Sequence, residues 1–175
     1  MKTLFLLSPA SLGGIRAKQL LSPRAQFDAA VQYRSPEGVP ICDAFAFMSA
    51  LYFRGKIAYA RRFARGVDGD CGIRVIAPGF GLVPPEWRID SDRMKQLRRT
   101  KVDPAARAYR KPLERDAEEI AALTAAGDRV VLLGSIATGK YVDVLRPILG
   151  DRLLFPRAFA GIGDMSRGSL MLKAA

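Results

Sequence analysis

The chain contains no histidine, and this absence removes several kinds of active site. A Ser-His-Asp or Cys-His catalytic arrangement cannot form, and a histidine-based zinc site is excluded as well. Proton transfer therefore has to use Asp, Glu, Lys, Tyr or water. Only two cysteines are present, too few for a disulfide framework or a four-cysteine metal site. We accordingly predict no metal and no cofactor.

Long apolar runs are also absent. No segment approaches the roughly 18 apolar residues of a membrane helix. The apolar run within residues 1–7 is shorter than the roughly 7–15 residues of a signal peptide core, so it predicts a buried first strand. Cys42 and Cys71 stand among apolar residues, which predicts small buried thiols. We expect a cytoplasmic protein without a membrane partner.

Positive charge dominates what is present. The 175 residues include 28 Lys and Arg against 17 Asp and Glu, a net charge of +11. This excess favours an anionic partner, and we expect a nucleic acid, although arginine enrichment without any binding also explains it. With 49% apolar and 26% charged residues, the chain is predicted to form one domain over residues 1–175.

Four short apolar segments predict strands, each ending near Gly, Pro or Ser. They are Thr3–Leu7, Gly72–Ala77, Arg129–Leu133 and Arg152–Phe155. Runs that are apolar on both faces are typical of buried parallel sheets.

Helical spacing lies between these strands. Two stretches place four side chains on one helix face: Ile41, Phe45, Met48 and Tyr52 in the first, and Leu113, Ala117, Ile120 and Thr124 in the second. A third helix is predicted from near Gly139 to Leu149, and Thr100–Lys111 is predicted as a long basic loop. The pattern predicts an α/β fold with a mainly parallel, four-stranded central sheet flanked by helices.

In such a sheet, ligands bind at the carboxyl ends of the strands, and small residues there let the backbone approach a ligand. All four predicted strands are followed by loops of this kind, which predicts one site at this edge. The predicted substrate-binding residues are Ser8, Ser11, Phe80, Gly134, Ser135, Thr138, Lys140, Tyr141, Gly163, Ser166 and Arg167.

Two carboxylates are candidate catalytic residues. Asp164 stands among glycines in the last loop, where it is either a turn residue or a catalytic group. Asp43 is the second candidate, and a helix-capping role explains it equally well. The acids of the second predicted helix are assigned to a solvated face: Glu114, Asp116, Glu118 and Glu119.

Residues 134–140 fit the G-x-x-x-x-G-K frame of a phosphate-binding loop. Tyr141 replaces the Ser or Thr that would hold Mg²⁺, and no later strand supplies the second acid, so we exclude an ATPase. Lys140 at a helix start suits either a phosphate contact or a plain strand-to-helix turn.

Segment 54–65 carries only basic charges. As a helix, it places arginines opposite apolar residues, an arrangement that suits phosphate groups, whereas a solvated face ordinarily carries both signs. The predicted contacts to the nucleic-acid backbone are Arg16, Lys18, Arg54, Arg61, Arg62 and Arg65.

Several short motifs resemble known families. Leu6-Leu7-Ser8-Pro9-Ala10 and Gly79-Phe80-Gly81-Leu82-Val83-Pro84-Pro85 resemble the Ser-Pro strand end and the Tyr-Gly-Leu turn of the bacterial peroxide-stress YaaA family. The closing order of strand, Gly134-x-x-Ala137 turn, helix, strand and Gly161-Ile162-Gly163 resembles that group and the last βαβ unit of the uracil-DNA-glycosylase superfamily.

In those glycosylases, the loop after this last strand reaches into the DNA. The resemblance implies a uracil-DNA-glycosylase-like fold, a bacterial role in DNA repair or stress response, and DNA in preference to RNA. The glycosylases usually carry a histidine in the last loop, where this chain has Asp164. The resemblance therefore does not imply uracil excision.

The residues themselves leave several functions open. One is the hydrolysis of an N-glycosidic bond, with Asp164 opposite the cationic transition state and Phe80 or Tyr141 stacked on a flipped base. The alternatives are a non-catalytic DNA- or RNA-binding protein and a nucleotide-sensing module built on residues 134–140. Convergence of Asp164, Ser8, Tyr141 and Phe80 on one pocket would favour the enzyme, and their dispersal would favour binding alone.

Overall fold

The computed structural model describes residues 1–66 and 70–175, with helices on both faces of a central sheet. The strands are β1 (Thr3–Leu7), β2 (Val39–Pro40), β3 (Ile73–Ala77), β4 (Gly81–Val83), β5 (Arg88–Ile89), β6 (Arg129–Leu133) and β7 (Leu153–Leu154). The helices are α1 (Ile15–Leu20), α2 (Asp28–Arg34), α3 (Ile41–Phe63), α4 (Ser91–Arg99), α5 (Arg107–Leu123), α6 (Val142–Leu149) and α7 (Asp164–Ala174). Short 3₁₀ helices lie at Gly150–Arg152 and Arg157–Phe159.

The central sheet has the strand order β4-β3-β1-β6-β7. β1 pairs in parallel with β3 and β6, and β6 pairs in parallel with β7. The predicted α/β class and its mainly parallel sheet are therefore confirmed, and all four predicted strands belong to it. The predicted strand number is wrong, because the described residues add β4, which pairs antiparallel with β3 after a turn over residues 78–80.

The side chains of β1 alternate between two apolar cores. Phe5 and Leu7 belong to the core under α1, α2 and α3, whereas Leu4 and Leu6 belong to the core covered by α5 and α6. β1 is thus the central strand and is enclosed on both faces, which explains its continuous apolar sequence.

α3 consists of two halves that reverse direction at Ala50, whose φ of 40° is unusual for a residue other than glycine. The rings of Phe45 and Phe53 lie 5.4 Å apart, and the guanidinium of Arg61 lies 4.0 Å from the sulfur of Cys42. A straight helix would separate residues 42 and 61 by about 28 Å along its axis. The two halves therefore pack antiparallel.

α7 crosses the second half of α3 at two glycines. A Cβ atom on Gly168 would lie 2.7 Å from the carbonyl oxygen of Leu51, and one on Gly55 would lie 2.6 Å from the carbonyl oxygen of Gly168. A side chain at either position would collide with backbone. This close crossing fixes Asp164, the first residue of α7, relative to α3.

Several predicted boundaries are wrong. The basic segment 100–111 is not a loop throughout, because α5 begins at Arg107. α6 begins at Val142 instead of near Gly139, and the last predicted loop already becomes α7 at Asp164. Each discrepancy arises where a helix starts in a sequence rich in glycine, proline or charge.

Two predictions of burial are also wrong. Asp116 is buried instead of solvated, since its carboxylate accepts the backbone N–H of Leu82 at 2.6 Å and so joins α5 to β4. Cys42 is buried as predicted, but Cys71 is exposed because it precedes β3 and lies outside the sheet.

Within residues 1–66 and 70–175, none of the helices has the length and apolar character needed to span a bilayer.

Candidate functional site

A cavity of about 630 Å³ opens where β1, β3 and β6 end, a volume typical of small-molecule sites. All four predicted loops reach it, so the expected meeting of the loops at one sheet edge is confirmed. The polar and charged side chains in its lining include Ser8, Ser11, Ser49, Tyr52, Arg98, Thr100, Ser135, Lys140, Tyr141 and Asp164.

Ser8 occupies the centre of this edge because it directly follows the central strand. Its backbone N–H donates to the carbonyl of Leu133 at 3.1 Å, which extends the pairing of β1 with β6 by one residue. A Cβ atom on Gly134 would lie 2.9 Å from the Cβ atom of Ser8. Gly134, a predicted site residue, does not line the cavity but leaves room for the Ser8 side chain.

Behind Ser8 lies Lys56, a fully buried lysine that our sequence analysis missed. Its Nζ atom donates to the carbonyl oxygen of Ser8 at 2.7 Å and to the Ser8 hydroxyl at 2.9 Å. The same Nζ atom lies 4.2 Å from the ring centre of Tyr52 and 5.0 Å from that of Phe53. Burial lowers the pKa of Lys56 to about 7, and the nearby carboxylate of Asp164 opposes this shift.

The sequence does contain a signal for Lys56. In the second half of α3, Lys56 lies one four-residue step after Tyr52 and one before Ala60, and both of these residues are buried. A lysine on the buried face of a helix has to be desolvated, and proteins rarely bury an unpaired lysine. Because segment 54–65 is basic throughout, its pattern was interpreted as an arginine face, and Lys56 was not recognised as a buried residue.

Two tyrosines, Tyr52 and Tyr141, line the cavity and lie near Ser8. The Tyr52 hydroxyl is buried and has no hydrogen-bond partner among the described residues, although Tyr52 lines the cavity. Arg167 and Ser8 are the polar groups near this hydroxyl, and both oppose the upward shift of its pKa. Burial raises the pKa of Tyr52, and it raises that of Tyr141 to about 12, so both phenols stay protonated at neutral pH.

Asp164 reaches the cavity as predicted, but from the first turn of a helix and not from a loop. Its side chain is 66% exposed, and its Oδ1 atom lies 3.5 Å from a terminal nitrogen of Arg167. Arg167 is half-buried and also donates to the carbonyl of Phe159 at 3.2 Å. Arg167 therefore orients Asp164 without lining the cavity itself.

Other predicted site residues are not brought to the cavity. Asp43 lies exposed in the first turn of α3, where its carboxylate accepts from the Cys42 thiol at 3.3 Å. Phe80 packs on Trp87, with ring centres 4.9 Å apart, so it is no stacking platform for a ligand in the cavity. The remaining predicted residues outside the lining are Thr138, Gly163 and Ser166.

The predicted arginine face is only partly helical. Arg54, Arg61 and Arg62 are exposed on α3, but Arg65 lies beyond its end and pairs by two backbone hydrogen bonds with Thr3. Thr3 begins β1, whereas the cavity lies where β1 ends. Arg65 is thus at the opposite edge of the sheet. The other two predicted contacts to the nucleic-acid backbone, Arg16 and Lys18, are exposed on α1.

Charge near the cavity comes from a different element. Arg98, near the end of α4, lines the cavity together with Thr100 and Val102. Segment 91–111 carries eight basic and only two acidic residues. The basic residues are Arg93, Lys95, Arg98, Arg99, Lys101, Arg107, Arg110 and Lys111, and the acidic residues are Asp92 and Asp103.

Among the residues that the structure describes, no three potential metal-ligating side chains cluster together. Comparisons with protein-family models, curated proteins and solved structures give no match to the chain. Function therefore has to be inferred from the geometry and chemistry of the cavity.

Proposed function

We propose that the protein hydrolyses the N-glycosidic bond of a nucleotide in a nucleic acid, with DNA preferred to RNA. The supporting observation is that Asp164, Ser8 and Tyr141 meet in one cavity at the carboxyl edge of the sheet. Phe80, the fourth residue of the expected group, is absent from it, whereas Tyr52 lines it.

The reaction assigns a role to the carboxylate. Breaking the bond to C1′ develops positive charge on the sugar, which a carboxylate stabilises. Asp164 supplies that negative charge. It also accepts a proton from the attacking water while the water oxygen bonds to C1′. The phenol of Tyr141 stays protonated and can donate a hydrogen bond to an acceptor atom of the base.

A positive rim supports a nucleic-acid substrate. Arg98 and Lys140 line the cavity itself. Lys95 and Lys101 are engaged in ion pairs with Asp92 and Asp103, but Arg98 forms none within the described residues. Arg98 and Lys140 can therefore contact phosphates on either side of an extruded nucleotide.

The uracil-DNA-glycosylase-like fold is part of this proposal. It is supported by the motif resemblance and by the position of the segment after β7. In the glycosylases, this segment reaches into the DNA, and here it brings Asp164 to the cavity.

The test is release of a free base, or formation of abasic sites, from DNA and RNA oligonucleotides with ordinary and modified bases. Asp164→Asn should lower the rate by roughly 10²–10⁴-fold, because it removes the negative charge but keeps the shape. Its affinity for the oligonucleotide should stay near that of the wild type. Asp151→Asn is the matched control, since Asp151 is exposed and outside the cavity lining.

Equal rates for the wild type and Asp164→Asn would contradict the role of Asp164. If the wild type releases no base from any substrate but binds it, the protein is a nucleic-acid-binding protein without this activity.

A further inference from the structure

Lys56 is enclosed by protein, but the Ser8 hydroxyl to which it donates belongs to a residue that lines the cavity. It has no exposed surface and does not line the cavity, whereas Ser8 does. Within the described residues, both hydrogen bonds of its Nζ atom end on Ser8. A proton can therefore pass between Lys56 and the cavity through the Ser8 hydroxyl.

We propose that Lys56 and Ser8 form a proton relay that protonates the leaving base in the cavity. This inference rests on the proposed N-glycosidic hydrolysis and assigns the general acid that the reaction needs. Ser8 is then a catalytic residue that contacts the base, and Lys56 acts through it.

The proposed step balances without any co-reactant. The C1′–N bond breaks, and its electron pair stays on the base. The base takes a proton from the Ser8 hydroxyl, and Ser8 takes one from the Lys56 ammonium group. Water adds its oxygen to C1′ and gives a proton to Asp164. After release of the products, that proton is lost to solvent and Lys56 takes up another.

The tyrosines of the cavity are poorer acids for this task. A general acid works best when its pKa is near the working pH. Burial raises the pKa of Tyr141 to about 12 and also raises that of Tyr52, whereas it lowers that of Lys56 to about 7. At neutral pH, Lys56 both carries a proton and releases it readily.

The charge on Lys56 depends on its neighbours from each packed element. Asp164 of α7 favours the protonated form, and the Tyr52 ring of α3 lies under Nζ. Arg167 of α7 lies beside Tyr52, and Tyr141 precedes α6. Asp164 is the one carboxylate among these groups, and its effect on the pKa of Lys56 opposes the larger effect of burial.

The experiment is the pH profile of base release by the full chain between pH 5 and 9. In the wild type, the rate should fall about tenfold per pH unit above pH 7, as the Lys56 ammonium loses its proton. Lys56→Met should lower the rate at pH 6 by roughly 10²–10⁴-fold and remove this alkaline fall. Lys173→Met is the control, since Lys173 is exposed near the end of α7.

Two more variants distinguish the loss of proton transfer from the loss of the positive charge and from unfolding. Ser8→Ala breaks the relay but leaves the Lys56 bond to the carbonyl of residue 8, so it should reproduce the Lys56→Met phenotype. Lys56→Arg keeps a cation that does not give up its proton, and it should stay as slow as Lys56→Met. Thermal melting checks that each variant is folded, and if neither Lys56 variant folds, Ser8→Ala decides.

The outcomes distinguish the two proposals. If the wild type releases base and Ser8→Ala matches it in rate and pH profile, the relay is wrong while the hydrolase stands. Wild-type activity in Lys56→Arg would also overturn proton donation by Lys56. If the wild type releases no base from any substrate, the hydrolase proposal fails, and the relay fails with it.

Discussion

Replacing Lys56 by Met should change how the stability of the protein depends on pH. Burial lowers the pKa of Lys56 from its ordinary 10.5 to about 7. Below pH 7, Lys56 is charged in both the folded and the unfolded chain, and folding bears the cost of burying that charge. Between pH 7 and 10.5, the folded chain has released the proton while the unfolded chain retains it. Stability therefore rises with pH in this window.

The magnitude follows from linkage. Each pH unit in this window adds about 1.4 kcal/mol to the free energy of unfolding of the wild type, and methionine adds nothing. From pH 7 to 9.5, the wild type should gain about 3 kcal/mol relative to Lys56→Met. Burial also raises the pKa of Cys42 and Tyr109, but these groups are present in both proteins and cancel in the difference.

Urea denaturation of both proteins at half-unit steps from pH 5.5 to 9.5 measures this difference. The difference should be flat below about pH 6 and should rise steadily above pH 7. A Lys173→Met variant should show no such rise, since Lys173 is exposed. A difference between wild type and Lys56→Met that stays constant to pH 9.5 would refute the low pKa and remove the acid from the proposed relay.

The other predictions concern helix packing and the nucleic-acid surface. Gly168→Ala should lower the free energy of unfolding by roughly 1–3 kcal/mol in urea denaturation, because its Cβ atom would lie 2.7 Å from a carbonyl oxygen of α3. Gly127→Ala is the control, since a Cβ atom there meets open space and should lower the free energy of unfolding far less. An equal cost at both glycines would contradict the close crossing. Arg98→Glu should weaken binding to single-stranded DNA and lower the slope of log affinity against log salt by about 1, whereas Arg62→Glu on the outer face of α3 should change both less. The opposite ranking would place the nucleic acid on α3.

The sheet was predictable because its strands are buried on both faces. Continuous apolar runs such as Thr3–Leu7 and Arg129–Leu133 have few alternatives in a chain of this composition. β4 was missed because Gly81–Val83 is only three residues long and follows a Gly-rich turn. It pairs with β3 and also donates a hydrogen bond from Leu82 to Asp116 of α5, a tertiary contact that no local pattern displays.

The position of the site was predictable, but its chemistry was only partly so. Strand-end loops are visible in sequence, and parallel pairing brings them together whatever their other residues are. Lys56 and Tyr52 come instead from the second half of α3, which begins after the reversal at Ala50. Their approach to Ser8 depends on the reversal at Ala50, which no proline or glycine marks in the sequence.

Three energetically costly features lie around the end of β1. Ala50 adopts a backbone conformation that costs about 1–3 kcal/mol in a residue other than glycine. Lys56 is a buried amine that an apolar side chain would replace at lower cost, and the Tyr52 hydroxyl is buried without a partner in the described chain. Selection for stability alone removes such features one at a time, since single substitutions at each position relieve them. Each of them is in or next to a residue that lines the cavity or contacts Ser8, so their cost in stability falls on the residues of the proposed active site.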